Sequence, residues 1–344
     1  MITFSKLKKP YIIAEIGINH EGCYNTAKKL ISEAKKAGAD AVKFQVFEPA
    51  TIATENARKT KLQKKNSGKE NLADIWKRVC LSRQSLMKLR LFAKNIRIDF
   101  ICTPFDFKSL ILVKKLNVDA LKIASSDITD IPLLSEIAKS KKPIIISTGM
   151  SNDKEITRAL NTIKKKNISI LHCVSLYPCE YHKANLRRIL ALKRKYKNYA
   201  IGYSDHCKNV MASILAINLG ATIIEKHFTL DKNKIGLDHS LSADTFDLKI
   251  ICDYAKNFNL LLGTKKIIPS SYERNFKKLF RKGIYFKKTI NKNEVITKEH
   301  LIIRRPENFT RPELYNFIVG KKMKKKMNVL TAVNLKNLYW DMNN

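Results

Sequence analysis

Two histidines stand at the ends of neighbouring apolar runs: His206 follows AIGYSD at 200–205, and His227 closes TIIEKH at 222–227. If the runs are adjacent parallel strands, both imidazoles project from the same end of one sheet, beside Ser204, Asp205 and Glu225. Imidazole is the commonest protein ligand for a transition metal, so a metal-assisted site is the chemistry such a pair could support. Taken singly, either histidine also reads as an ordinary polar residue at a strand edge.

The ends of the other apolar runs supply a second set: Glu15, Lys43 with Gln45, Thr103, Lys122 with Ser125 and Asp127, Ser147 with Thr148, and Ser175 with Tyr177. Lys43 and Lys122 lie inside otherwise apolar runs, where an ammonium is costly to bury unless it meets an anion. The hydroxyls are suited to phosphate oxygens, with helix N-termini behind them. Gly149 lets backbone N–H groups approach an anion closely. A serine or threonine at such a position also caps the following helix. That explains the hydroxyls one by one, but not two lysines and two histidines at the same end. The set reads as an anion cradle beside a two-histidine metal site.

The elements that must position these residues follow from the hydrophobic pattern. From residue 11 to about 262 short apolar runs alternate with amphipathic stretches, the pattern of βα units. The runs are 11–16, 41–47, 99–103, 120–125, 143–148, 168–173, 200–203 and 222–227, and the helical patterns between them include 26–38, 85–95, 133–140 and 155–166. This repeat predicts a (β/α)8 barrel of the TIM type over 1–263, with catalytic residues at the C-terminal strand ends. An open doubly wound sheet is the alternative, but no GxGxxG follows the first run. The polar insertion Ala50–Trp76 is expected to be a long βα loop over the mouth. After Gly263 the pattern changes to a linker with a short helix, 264–282, and then a small turn-rich β unit, 283–344.

Composition bounds the function classes. The formal net charge is +36, but lysine is spread along the whole chain with asparagine and isoleucine, without the clustered arginines and aromatics of a nucleic-acid-binding face. The charge therefore reads as solvated surface, with nucleic-acid binding as the different-class alternative. The seven cysteines are scattered without a CxxC pair, as expected for reduced thiols in the cytoplasm. No signal peptide or membrane span is expected.

AEIGINHEG at 14–22, VKFQ at 42–45, CTPFD at 102–106, KIASSD at 122–127, ISTGM at 146–150, HCVSLYP at 172–178, GYSDH at 202–206, EKHFTLD at 225–231 and DHSLSAD at 238–244 follow one another in order. Over nearly the whole chain this set resembles the phosphoenolpyruvate-dependent sialic acid synthases, a barrel followed by an antifreeze-like (SAF) domain. The resemblance implies that His206 and His227 ligate manganese, with magnesium or cobalt as alternatives. It implies that Lys43, Thr103, Ser125, Ser147 and Ser204 contact the phosphate of phosphoenolpyruvate, and Lys122 its carboxylate with Ser175 nearby. Glu15, Tyr177 and Asp238 match positions that hold the acceptor sugar, and Asp127 or Glu225 would serve as the base toward water. Arg305 matches an arginine that reaches the partner subunit's site, implying a homodimer with a swapped SAF domain. Glu307, Asn308, Phe309 and Thr310 stand after Arg305-Pro306 where members usually have a glycine-containing segment. The implied reaction joins phosphoenolpyruvate, an open-chain N-acetylated amino sugar and water into a nine-carbon 2-keto-3-deoxy acid, releasing phosphate. N-acetylmannosamine is the simplest acceptor; a diacetamido dideoxy sugar, giving legionaminate or pseudaminate, and a 6-phosphosugar are the alternatives.

Overall fold

The computed structural model describes residues 2–340 apart from 53, 55, 56, 60–63, 65, 69 and 166. The chain divides into two compact units, Met1–Gly263 and Thr264–Asn344.

In the first unit eight parallel strands close into a barrel in sequence order. They are β1 (Tyr11–Gly17), β2 (Ala41–Val46), β3 (Asp99–Pro104), β4 (Ala120–Ile123), β5 (Ile144–Ser147), β6 (Ile168–Cys173), β7 (Ala200–Asp205) and β8 (Ile223–His227). β1 closes the ring by pairing with both β2 and β8, Ile13 lying opposite Ala41 on one side and Glu225 on the other. Each strand is buried along nearly its whole length because helices cover the outside and side chains fill the inside.

The covering helices begin and end where local chemistry dictates. Asn152 and Glu155 form a reciprocal capping box at the start of the helix Asp153–Ile163. Gly38 ends the helix Tyr24–Ala37 in the left-handed region at φ 97°, where its N–H reaches back to the Ala34 and Lys35 carbonyls. The insertion after β2 is not all loop: its end folds as the helix Leu72–Val79, burying Leu72, Ile75 and Val79. Ala53, Glu55, Asn56, Thr60, Lys61, Leu62, Gln63, Lys65 and Lys69 of the expected loop lie outside the described residues.

Strand alternation splits the barrel residues into two sets. Those facing out, such as Ile12, Ala14, Val42, Phe44, Phe100, Cys102, Leu121, Ile144, Ile170 and Ile224, join the helices in the main core. Those facing in form an apolar layer at the base: Ile13, Ala41, Ile101, Ala120, Ile145, Leu171, Ala200 and Ile223, closed below by Phe4 from the short turn before β1.

In the second unit the antiparallel pair β9 (Gly283–Phe286) and β10 (Leu301–Arg304) is joined by isolated bridges such as Ile290 with Met327 and Met323 with Leu338. Its own small core gathers Ile284, Phe286, Ile290, Ile296, Leu301, Ile318, Met323 and Val333. The segment expected as a linker holds the helix Ser271–Phe280 and groups with this unit.

Candidate active site

Two residues beyond each base-layer position the inward face changes character. Ile13 is followed by Glu15, Ala41 by Lys43, Ile101 by Thr103, Ala120 by Lys122, Ile145 by Ser147, Leu171 by Cys173 and Ile223 by Glu225, which is followed in turn by His227. On β7 the base residue Ala200 is followed by Gly202, where a Cβ would come within 2.5 Å of the Ile223 carbonyl oxygen and Leu171, and then by Ser204. These side chains line a cavity of about 380 Å3 at the C-terminal end of the barrel, together with Gln45, Ser125, Ser175, Tyr177, His206 and Asp238.

Lys43, 3% exposed, and Lys122, 2% exposed, are drawn into one charge network. The Lys43 ammonium lies 2.9 Å from Glu15 Oε1 and 3.7 Å from Glu225 Oε1, and donates to Thr103 Oγ1 at 3.2 Å. Lys122 Nζ is 4.0 Å from the same Glu225 oxygen and donates to the Ile123 carbonyl at 2.9 Å. Ser204 Oγ donates to Glu225 at 3.0 Å. Burial alone would raise Glu225, but Lys122 and Lys43, with the Ser204 hydroxyl, hold it below the usual carboxylate range. Glu15 goes the other way: burial raises it, Lys43 opposes, and the Glu225 charge adds to the rise. Asp238 is pushed up to about 6 by burial and then by Glu15. Neighbouring carboxylates with opposed shifts are the arrangement in which one stays ionised and another holds a proton.

Several buried polar atoms around the cavity have no partner: Glu15 Oε2, Glu225 Oε2, Ser147 Oγ, Ser175 Oγ and His227 Nδ1. Buried polar groups are ordinarily satisfied, so this concentration points to a ligand with matching groups. Gly149 adds a backbone N–H that donates to Ser125 Oγ at 3.0 Å. A Cβ there would fall 2.3 Å from Ser175 Oγ and 2.8 Å from Ser125 Oγ, so only glycine lets the chain come this close. Thr148 is not part of this set: its hydroxyl turns back to the Leu171 carbonyl at 2.9 Å.

The two imidazoles meet at one edge of the cavity, ring centroids 5.5 Å apart. His206 Nδ1 donates to the Val174 carbonyl at 2.8 Å, which leaves Nε2 as the nitrogen available to a ligand. His227 is held well below its usual range by burial, by His206 and by Lys43, so it is the neutral form that a metal ligand must be. Its Nδ1 lies 3.6 Å from Asp238 Oδ2, too far for a hydrogen bond. Two imidazoles, one of them held neutral with an unpartnered nitrogen, fit a divalent ion. His206 shifts the other way, burial lowering it but Cys173 and the Val174 carbonyl raising it, so an ion bound there would displace its proton. Among the described residues no three His, Cys, Asp or Glu side chains converge as a ready-made metal cluster, so water and substrate oxygens would complete the shell. Tyr177 packs over His206 with centroids 4.1 Å apart.

Asp127, named from the sequence, lies apart from this constellation. After β4 the chain turns into a short 3-10 segment, Ser125–Asp127, which sets Asp127 back from the cavity lining. Its Oδ1 accepts from Ser126 Oγ at 2.8 Å, and burial pushes the carboxyl up to about 6. Glu225, not Asp127, is the carboxylate between the lysines. Arg305 belongs to the second unit, where its guanidinium sits 5.3 Å from the centre of the Phe280 ring.

The sequence reading missed an apolar wall. Ile18, Trp76, Phe105 and Leu237, from the segments that follow β1, β2, β3 and β8, line the cavity and share a small satellite core with Phe47 and Val79. Large apolar residues just past strand ends were the available signal, but the same residues equally anchor loops.

The NeuB family model matches residues 30–267. The N,N'-diacetyllegionaminic acid synthase of Campylobacter jejuni is 39% identical over 321 residues, covering 92% of this chain and 96% of that protein. The N-acetylneuraminate-9-phosphate synthase of Drosophila melanogaster is 38% identical across 73% of this chain and 68% of its own length. Among solved structures, the sialic acid synthetase of Leptospira borgpetersenii in complex with citrate superposes with a TM-score of 0.69 at 34% identity, covering 80% of this chain and 94% of that one.

Proposed function

The chain belongs to the NeuB family and is a sugar-acid synthase, and on that premise we propose that it joins phosphoenolpyruvate to an open-chain, unphosphorylated N-acetylated amino sugar and water, giving a nine-carbon 2-keto-3-deoxy acid and phosphate. The observation that carries this reading is the pair of buried lysines, Lys43 and Lys122, set among unpartnered hydroxyl and carboxylate oxygens beside two imidazoles.

In this reading Lys43 and the hydroxyls of Thr103, Ser125, Ser147 and Ser204 hold the phosphate, and Lys122 with Ser175 holds the carboxylate. Tyr177, Glu15 and Asp238 hold the sugar. A divalent ion bound at His206 and His227, manganese foremost, supplies Lewis-acid polarisation of the sugar's aldehyde oxygen. The methylene carbon of phosphoenolpyruvate attacks the aldehyde carbon, and the cationic carbon left behind takes up water. Glu225, ionised between its lysines, receives the proton of that water, and the tetrahedral adduct expels phosphate. Glu15, with its raised affinity for a proton, is placed to protonate the new alkoxide. Fixing both reactants can contribute ~7–11 kcal/mol in the best cases.

N-acetylmannosamine is the simplest acceptor. A diacetamido dideoxy sugar is the second reading, favoured by the apolar wall, which suits acetyl methyls and a deoxy carbon, and by the activity for which the Campylobacter relative is named. A 6-phosphosugar fits less well, because among the described residues Lys43 and Lys122 are the cavity's only lysine or arginine lining. The second unit is read as an antifreeze-like domain whose Arg305 serves the site of a second copy in a cytoplasmic homodimer. Mass spectrometry of products from phosphoenolpyruvate and each of these three sugars tests the reading. Turnover of one unphosphorylated sugar is expected; turnover of none sinks the synthase assignment.

A further inference from the structure

Behind the two histidines, on the side of the strands that faces the helices, sits a charge pair with no part in the chemistry above. Alternation along β7 and β8 sends Ser204, Glu225 and His227 inward and turns Asp205 and Lys226 outward, where the strand register places them opposite each other. Lys226 Nζ lies 3.2 Å from Asp205 Oδ2, and both side chains are fully buried. A buried ion pair is poor evidence for stability, because desolvation offsets the attraction and an apolar replacement is often neutral. Its hydrogen bonds suggest another purpose.

Asp205 Oδ1 accepts from the Cys207 N–H at 2.8 Å and from the Tyr203 hydroxyl at 3.3 Å. Asp205 Oδ2 accepts from Ser213 Oγ at 2.6 Å, in the helix Met211–Asn218. Lys226 Nζ donates to the Cys207 carbonyl oxygen. The N–H and the C=O of Cys207, the residue directly after His206, are thus each held by a charged side chain. One of those charges comes from β8, next to His227. The turn that carries one imidazole is tied through a fully buried ionic lattice to the strand that carries the other.

We infer that the Asp205–Lys226 pair is a positioning device that sets the spacing of His206 and His227 for a shared divalent ion. The inference rests on the metal reading above. Groups that orient metal ligands from outside typically change metal affinity by ~10–100-fold when removed.

The test compares the full-length wild type, Asp205→Asn/Lys226→Met, and Ser213→Ala, titrating each with Mn2+ by EPR and following thermal unfolding and phosphoenolpyruvate binding. The double variant removes both charges together, so neither is left buried alone. It is expected to fold and to bind phosphoenolpyruvate like the wild type while its Mn2+ Kd rises ~10–100-fold. Ser213→Ala keeps the charges and loosens only the tether to the helix, so it is expected to weaken Mn2+ in the same direction by a smaller factor. Should the double variant fail to fold, the Ser213→Ala titration decides. Wild-type Mn2+ affinity in the folded variants overturns the inference and leaves the metal site standing. A wild type that binds no Mn2+ overturns both.

Discussion

The inward face of this barrel holds two layers only one pleat apart, and they obey opposite rules. At the base, Ile13, Ile101, Ile145, Leu171 and Ile223 meet as a closed apolar plug. Two residues further along the same strands, Glu15, Thr103, Ser147, Cys173 and Glu225 surround a cavity, several with buried oxygens lacking partners. The base gains stability from removing apolar surface from water. The mouth holds desolvated charges and unpaired donors at a cost to stability, which a bound ligand offsets by supplying the missing partners. Stability and chemistry are thus separated along each strand rather than between domains.

The sharpest break of that comparison is Glu225→Gln at the mouth. As the base toward water it is expected to lower kcat by ~10^2–10^4-fold. The loss is read as kcat per folded molecule, because the buried lysines also lose a counter-charge; full activity would remove Glu225 from the chemistry. One layer down, Ile145→Ala should do the reverse, costing ~2–5 kcal/mol of stability by cavity formation. Denaturant unfolding measures the loss, and kcat per folded molecule should be unchanged.

Asp127, set back from the lining, is predicted to follow the stability rule rather than the chemical one. Its carboxyl titrates at about 6 when folded, against an ordinary 3.8, so the fold favours its protonated form. That contribution is complete below pH ~4 and is lost as pH rises through about 6. After allowance for partial solvent access it amounts to roughly 2 kcal/mol. Asp127→Asn should remove that part of the pH slope in unfolding experiments and leave kcat nearly intact. A collapse of kcat would restore Asp127 as the base.

The smallest effects come from two serines that are alike in isolation. Ser147 Oγ at the mouth and Ser169 Oγ in the barrel interior are both buried without a partner. Removing the interior hydroxyl by Ser169→Ala should be neutral or stabilising by ~1 kcal/mol. Ser147→Ala should stabilise the free protein similarly but raise KM for phosphoenolpyruvate. Equal KM values in the two variants would take Ser147 out of the phosphate cradle.

Much of this layering was legible in the chain because apolar runs of strand length end in residues that strands do not bury casually. Lys43 and Lys122 were conspicuous for that reason. Asp127 could not be placed from the pattern because strand alternation stops where β4 passes into a 3-10 turn, after which counting by twos no longer gives direction. Asp205 and Lys226 could not be separated from their neighbours without the register, which alone says which side of the sheet each faces. The apolar wall was hidden for a chemical reason, since Trp76 or Leu237 reads the same in the sequence whether it anchors its segment or faces a substrate. In the expected turn-rich β unit, 283–344, regular pairing narrows to Gly283–Phe286 with Leu301–Arg304, the rest being held by turns and single bridges that leave no periodic trace.

Alternation at Glu225, Lys226 and His227 also bears on where this chain can change length. One residue inserted into β8 would rotate an ammonium into the cavity and send an imidazole and a carboxylate into the helix layer, exchanging the two faces at once. Insertions in the segment between β2 and the helix Leu72–Val79 shift no strand register. Attempts to graft a new acceptor preference should therefore lengthen, shorten or swap that segment and keep every strand at its present residue count.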